Sequence, residues 1–394
     1  MQQREVVVVS GARTAIGDFG GSLKDIAPGD LGGQVIAEAV RRAGIAGADV
    51  DHCVMGNVIH SERRDMYISR VAALRGGLSE KTPCLTVNRL CGSGLQSIIS
   101  ATQLILLGDA DTAVAGGAES MSRAPYWLPS ARFGQRMGDG AMVDPMTGAL
   151  TCPFGDYHMG ITAENVAEQW GISRADQDAL AVESHNRAER AINEKRFESQ
   201  ILPIELKTRK GTTVFAQDEH VRMGAKVEDM DKLRPAFRKD GTVTAGNASG
   251  INDGAAAVVL MEKSLAERKG LKPMARVAGY AFAAMDPSIM GIGPVPAVKN
   301  LLERTGLGVA DIDVWEVNEA FAAQALAVCR DLELPMDRVN VNGSGISLGH
   351  PIGASGTIIA IKALYELERV AGRYAVATMC IGGGQGIAIL FERA

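Results

Sequence analysis

The 394-residue chain repeats itself. Arg42-Ala43-Gly44-Ile45 returns as Arg304-Thr305-Gly306-Leu307, and Ala48-Asp49-Val50-Asp51 returns as Ala310-Asp311-Ile312-Asp313, both at a shift of 262. At that same shift Ser93-Gly94 falls on Ser355-Gly356 and Ala101 on Ala363. After a short slip, Gly116-Gly117 falls on Gly382-Gly383. One offset joining separate blocks marks a structural unit used twice. Two copies of such a unit can meet about a pseudo-twofold axis, which would bring equivalent helix starts face to face.

The unit itself reads as α/β. Glu5–Ser10 is a buried strand, and Gly17, Gly20 and Gly21 make the next segment a loop. Leu31–Ala43 has helical periodicity and stops at Gly44, a suitable C-cap residue. Val54–Ile59 is strand-like, Asp65–Leu74 helical, and Thr112–Ala115 a short buried strand closed by Gly116-Gly117. Strands alternating with helices give the α/β class, and the pattern resumes from about Ala275. The length suits two or three domains.

The stretch from Ser120 to about Gly246 is richer in charge and polar loop residues, and it holds His158, His185 and His220. A highly charged amphipathic helix is expected over Arg174–Phe197. Lys207, Arg209, Lys210, Arg222, Lys226, Lys232, Arg234, Arg238 and Lys239 form a basic stretch. Charge runs are usually solvated faces; the sharper reading is an inserted lobe that meets an anionic ligand. The expected division is 1–119 with 247–272 returning to it, an inserted loop domain at 120–246, and a second α/β half at 273–394.

Composition removes several function classes. A formal charge of −5 and 5% aromatics leave neither a basic footprint nor stacking platforms for nucleic acid. The cysteines at 53, 84, 91, 152, 329 and 380 show no C-x-x-C and no zinc spacing. No metal or membrane partner is expected: Met1-Gln2-Gln3-Arg4-Glu5 is polar, and no apolar run is read as long enough to span a bilayer. Free thiols suit a reducing cytoplasm.

Cys91 precedes Gly92-Ser93-Gly94 and an apolar-periodic run through Leu106, so it lies at or just before a helix N-terminus. Unpaired N–H groups and the helix dipole would favour a thiolate there. A lone cysteine is more often a small buried hydrophobe, so its company decides. His350, between Gly349 and Pro351 and just before the equivalent helix of the second copy, could take the thiol proton or donate to an oxyanion. Cys380 precedes Ile381-Gly382-Gly383-Gly384, a run that lets a ligand approach the backbone. Asn318 ends one strand and opens a helix, either as an N-cap or to orient water or substrate. Gly343 to Gly349 imitates a dinucleotide fingerprint, but its last spacing is one residue too long, and no P-loop is present.

Asn318-Glu319-Ala320-Phe321, Gly349-His350-Pro351-Ile352-Gly353-Ala354 and Cys380-Ile381-Gly382-Gly383-Gly384, with Cys91 upstream, resemble the thiolase family from first strand to last. Thr244-Ala245-Gly246-Asn247-Ala248-Ser249-Gly250 and His158-Met159-Gly160 are similar to family segments that line the coenzyme A site. The resemblance implies a five-layered α-β-α-β-α fold and a reversible Claisen condensation. In it Cys91 is acylated, His350 accepts its proton and then helps hold the thioester oxygen, and Cys380 moves the proton of the acetyl-CoA methyl. Asn318 would position a water in the oxyanion site that His350 completes, and the Cys91 and Gly382 N–H groups would form a second oxyanion hole. Ala248, Ser249, His158, Met159 and Phe321 fall in the substrate-lining segments, with Arg222 towards the nucleotide and Met290 shaping the acyl pocket. Coenzyme A thioesters would be substrates, no further cofactor is implied, and a homo-oligomer, a dimer of dimers, is expected. A ketoacyl synthase, a catalytically dead scaffold and a cysteine hydrolase are the competing readings.

Overall fold

The computed structural model describes residues 4–208 and 211–394. Met1, Gln2 and Gln3, and Arg209 and Lys210 of the basic stretch, lie outside the described residues. The first copy contributes β1 (Val6–Thr14), β2 (Gly17–Asp18), β3 (His52–Gly56), β4 (Cys84–Val87) and β5 (Thr112–Ser120), with helices α1 (Pro28–Ala43), α2 (Ile68–Arg75) and α3 (Ser93–Leu107). The lobe holds short strands β6 (Thr151–Cys152), β7 (Tyr157–His158), β8 (Ile201–Leu202), β9 (Ile204–Thr208) and β10 (Gly211–Phe215). Its helices are α4 (Pro145–Ala149), α5 (Met159–Gln169), α6 (Arg174–Asn193) and α7 (Val227–Met230). The chain then returns through β11 (Asn252–Glu262) and α8 (Lys263–Arg268). The second copy is β12 (Ala275–Ala284), α9 (Pro294–Thr305), β13 (Val314–Val317), α10 (Ala322–Asp331), α11 (Gly345–Leu348), α12 (Ile352–Arg369), β14 (Tyr374–Ile381) and β15 (Gln385–Arg393).

The main strands follow the order β4-β3-β5-β11-β1-β12-β15-β14-β13. The centre of that path is the antiparallel pair β1–β12, where Val8 faces Ala275. Outward from it three strands on each side match, with β4 added at one edge. On each side an antiparallel strand (β11 or β15) comes first, then a strand antiparallel to it (β5 or β14), then a parallel neighbour (β3 or β13). The duplication is thus a duplication of topology.

The offset also runs on without a slip. β5 begins at Thr112 and β14 at Tyr374, again 262 apart, so Gly116 and Gly117 answer to Thr378 and Met379 rather than to Gly382 and Gly383. Nor do the two glycines close the strand, which continues to Ser120. Close packing explains them: a Cβ on Gly117 would lie 2.1 Å from the carbonyl oxygen of Gly353 in α12. Gly383, by contrast, takes φ +86° in the turn between β14 and β15.

Helices α1 and α2 pack together, α1 against β11, β1 and β5, while α9 covers β12 and β15. Between the two sheet halves lie α3 and α12, which touch each other and strands of both halves. These are the α-β-α-β-α layers that the resemblance implies. The central helices cross at Gly94 and Gly356, which are equivalent at the 262 shift. A Cβ on Gly94 would sit 2.4 Å from Thr357 N, and one on Gly356 2.3 Å from Leu95 N. The pseudo-twofold axis therefore passes between the helix starts.

This position explains the apolar character of α3. By length and composition Leu90–Leu107, with mean hydropathy 1.4, does qualify as a membrane-spanning stretch, contrary to the sequence reading. Its Leu95, Ile98, Ile99 and Ile105 are instead buried in the main core. Truncating such a leucine to alanine costs about 2–5 kcal/mol.

In the lobe, α6 is capped by Ser173 and Asp176, whose side chains each accept the other's backbone N–H at 3.1 Å. The helix stops at Asn193, short of the expected Phe197, and Lys195 follows at φ +60°. Lys207, Lys226, Lys232, Arg234 and Lys239 are exposed, and Arg238 is tied to Glu168 and Asn165. Most of the described basic stretch is a solvated face.

Candidate active site

The chain enters α3 through a strained turn. Leu90 adopts φ +46°, the left-handed region that a leucine seldom takes. Asn88 Oδ1 accepts the Leu90 N–H at 2.9 Å. Ser93 Oγ accepts the Arg89 N–H at 2.9 Å and donates to Leu90 O at 2.7 Å. Cys91 sits on this elbow. A Cβ on the next residue, Gly92, would come within 2.6 Å of Ile381, so the elbow is pressed against the end of β14.

The backbone N–H groups of Gly382 and of Cys91 itself favour the anionic form of the Cys91 sulphur. Part of the residue reaches solvent, although its thiol lies deep among protein atoms. Burial raises the thiol above its ordinary range, the two N–H groups pull it down, and the buried Glu119 carboxyl adds a smaller upward push. Burial wins, so Cys91 rests as a thiol. The expectation of a thiolate, made from the helix start alone, is corrected.

The base for that proton is identifiable. Gly349, at φ +108°, turns the chain so that the His350 N–H donates to Asn252 Oδ1 at 2.9 Å. Ser355 Oγ donates its proton to Pro351 O at 2.8 Å and stands 2.6 Å from His350 Nδ1. With the Ser355 proton on Pro351 O, Ser355 accepts from Nδ1–H. The neutral ring then carries its proton on Nδ1 and presents the Nε2 lone pair, which is buried with no protein partner. Burial holds His350 down at about 4, so the ring is neutral at pH 7 and ready to accept.

Cys380, near the end of β14, is buried in an apolar cluster with Met159, Ala248, Met290, Ala320 and Phe321. Burial first, and then the nearby Cys91 thiol, push its own thiol well above the usual range. Asn318 follows β13 and donates its N–H to Thr378 O at 3.0 Å. It is not a helix cap, because α10 begins four residues later after Phe321. Its Nδ2 is also buried without a protein partner. A buried polar atom without a protein partner is costly unless water or a ligand uses it.

The fold thus draws Cys91 from the first copy and His350, Cys380, Gly382 and Asn318 from the second. Ile352, two residues past His350, packs with Cys91 in one cluster. His158 caps α5 by accepting the Gly160 N–H at 3.0 Å, and its ring stacks on Phe237 at 4.6 Å. Phe237 meets Phe321 edge-on at 6.2 Å. A Cβ on Gly382 would lie 2.9 Å from Met159, so Met159 lies against the backbone beside Cys91. Arg222 and Ala248 line a cavity of about 410 Å³ together with His185, His220, Met223 and Ala245. Ser249 is anchored nearby, its N–H bonded to Ala320 O at 2.9 Å.

Ser355, Asn252, Phe237 and the strained Leu90 were not singled out from sequence. A signal for Ser355 existed, since the repeat aligns it with Ser93. Asn252 had none: it lies 98 residues from His350 along the chain. Among the described residues no group of three or more His, Cys, Asp or Glu could hold a metal ion.

Comparison with known proteins points the same way. Residues 6–264 match the thiolase N-terminal domain and residues 271–393 the thiolase C-terminal domain. The β-ketothiolase BktB of Cupriavidus necator is 64% identical over 391 residues, covering 99% of each chain. An acetyl-CoA acetyltransferase of Escherichia coli is 50% identical over 392 residues, again covering 99% of each. A crystal structure of human mitochondrial 3-ketoacyl-CoA thiolase in complex with CoA matches with a TM-score of 0.97 at 44% identity, covering 100% of this chain and 98% of that one.

Proposed function

The chain belongs to the thiolase family, and on that premise we propose that it transfers short acyl groups between coenzyme A thioesters, forming or cleaving the 3-ketoacyl carbon–carbon bond. The carrying observation is the protonation pattern of the site. A neutral thiol at Cys91, packed in one cluster with Ile352 two residues past His350, and a neutral imidazole with a free Nε2 are what a nucleophile and its base need at rest.

In this reading Cys91 attacks the thioester carbonyl while His350 Nε2 takes its proton. The Cys91 and Gly382 N–H groups, which favour negative charge at the sulphur, hold the oxyanion of the tetrahedral intermediate. His350, now a donor at Nε2, and a water held by Asn318 Nδ2 then stabilise the enolate oxygen of the second thioester. Coenzyme A leaves the tetrahedral intermediate with the Cys380 proton, and the Cys380 thiolate removes the proton from the methyl carbon of the second thioester. The enolate attacks acyl-Cys91, whose sulphur leaves and takes its proton back from His350. A thiol with a raised pKa is a stronger base once ionised, which suits so weak a carbon acid. Thiolysis runs the same steps backwards.

Coenzyme A is read as a substrate, with the Arg222–Ala248 cavity taking its nucleotide end and the His158, Met159 and Phe321 surfaces its pantetheine arm. No further cofactor is required. Met290 and Met159 beside Cys380 shape the acyl pocket. The domain division at 119/120, 246/247 and 272/273 belongs to the same reading, as does a cytoplasmic location. Exposed Trp127, Phe133 and Met137 in the lobe support a homo-oligomer, read as a dimer of dimers.

Thiolysis with free coenzyme A and 3-ketoacyl-CoA of increasing length tests the proposal through loss of the enolate absorbance. Activity on acetoacetyl-CoA that continues to slightly longer chains is expected. Silence at every length, with folded protein, would refute it.

A further inference from the structure

Glu119 is fully buried near the end of β5, and the chemistry above gives it no part. Its carboxylate accepts four hydrogen bonds: from Asn57 Nδ2 at 3.0 Å, Val58 N at 3.0 Å, Ile59 N at 3.1 Å and Gly353 N at 2.8 Å. Three donors come from the turn after β3, which is why that strand stops at Gly56 rather than running to Ile59. The fourth belongs to the first turn of α12, three residues after His350.

The seat for that turn is shaped. Along a strand, Gly117 and Glu119 share one face. Gly117 and Gly56 leave room for the Gly353 carbonyl, where a Cβ would intrude to 2.1 and 2.8 Å, and Glu119 takes the Gly353 N–H. The restraint passes on to the reacting groups. Ala354 and Ser355 both donate their N–H to Pro351 O at 2.9 Å, and Ser355 holds the His350 ring. On the other side Ile59 packs against Cys91 and Ile352.

We propose that Glu119 is a positioning residue for the acyl transfer: by gripping Gly353 and the Asn57–Ile59 turn at once, it fixes the helix start that carries His350 against the one that carries Cys91. The inference rests on the thiolase reading for its catalytic consequence, not for its geometry. A carboxylate suits the place because all four neighbours are donors, whereas a glutamine would turn N–H groups towards N–H groups. The start of α12 adds the favourable end of a helix dipole.

The charge has a second effect. The titratable groups that face Glu119 are Cys91 before α3 and Asp65 in the helical turn Arg63–Tyr67. Burial raises the Glu119 carboxyl, while its four N–H donors pull it down and favour the carboxylate. Cys91 lies above its ordinary 9, so Glu119 is ionised where the thiol titrates and opposes the thiolate.

Alkylation of Cys91 by iodoacetamide between pH 6 and 10.5, read on the Cys91 peptide by mass spectrometry, tests the charge without any acyl transfer. Glu119→Gln is expected to lower the midpoint by at least half a unit, about threefold faster labelling at pH 8, while kcat for thiolysis falls about tenfold or more at unchanged KM. Glu119→Asp keeps the charge but draws back from Gly353, so kcat should fall without a downward midpoint shift. A Glu119→Gln midpoint at or above wild type, or a Glu119→Asp enzyme with full kcat, overturns the proposal; the second arm stands even if Glu119→Gln fails to fold. A wild-type enzyme silent in thiolysis would refute the thiolase reading and leave the alkylation result to speak for itself.

Discussion

The two central helix starts occupy equivalent places in the two copies and do different work. Ser93 and Ser355 correspond at the 262 shift, and each donates its hydroxyl proton to a carbonyl just upstream, Leu90 O or Pro351 O. Ser93 then accepts a backbone N–H and holds the strained elbow under Cys91, whereas Ser355 accepts from an imidazole and sets its tautomer. Deeper along the helices the copies part further. Lys362 in α12 bonds Glu316 in β13 at 2.7 Å, both fully buried. The equivalent positions in the first copy are Ser100 and Val54, without charge. A duplicated backbone frame carries over the crossing point, while the side chains laid on it specialise.

The comparison breaks most sharply at the reacting thiols, which also come one from each copy. Cys91→Ala should abolish both condensation and thiolysis. Cys380→Ala should still be acylated by acetyl-CoA, as seen by intact mass, while turnover falls by about 10² to 10⁴. If Cys380→Ala fails to form acyl-enzyme, the division of labour between the two copies is wrong.

Stability separates the copies next. Lys362→Met strands the Glu316 carboxylate, which burial already lifts to about 7, and should cost about 3–5 kcal/mol in urea unfolding. Adding Glu316→Val, which gives the second copy the apolar residue of the first, should recover most of that loss. A double variant no more stable than the single one would mean that the pair does more than satisfy itself.

The smallest effects are expected at the paired serines, and they should differ in kind. Ser355→Ala frees the His350 ring to change tautomer and should lower kcat about tenfold with little effect on stability. Ser93→Ala releases the elbow and should cost about 1 kcal/mol of stability. Equal kinetic losses in both variants would show that the serines serve one function rather than two.

Much of this was legible in the chain. The 262-residue offset, the Gly94–Gly356 register and the four reactive positions are local patterns, and local patterns survive in a linear string. The readings that failed concerned surroundings. Gly116-Gly117 read as the end of a strand because the carbonyl of Gly353 cannot be foreseen 236 residues away. The run Leu90–Leu107 is long and apolar enough for a membrane, and only its place in the core shows it to be the filling between two sheets.

The sequence by itself determined which groups exist and the backbone on which each is mounted: a cysteine before a helix, a histidine between glycine and proline, a unit built twice. Only the tertiary structure decided their charge. Helix position argued for a thiolate at Cys91, yet burial among protein atoms keeps it a thiol. Nothing local marks His350 as neutral with its proton on Nδ1, or Glu119 as the clamp between the copies. The physical reason is that solvation and hydrogen-bond partners are properties of space. In this protein they are supplied across the pseudo-twofold axis, by residues the chain itself keeps far apart.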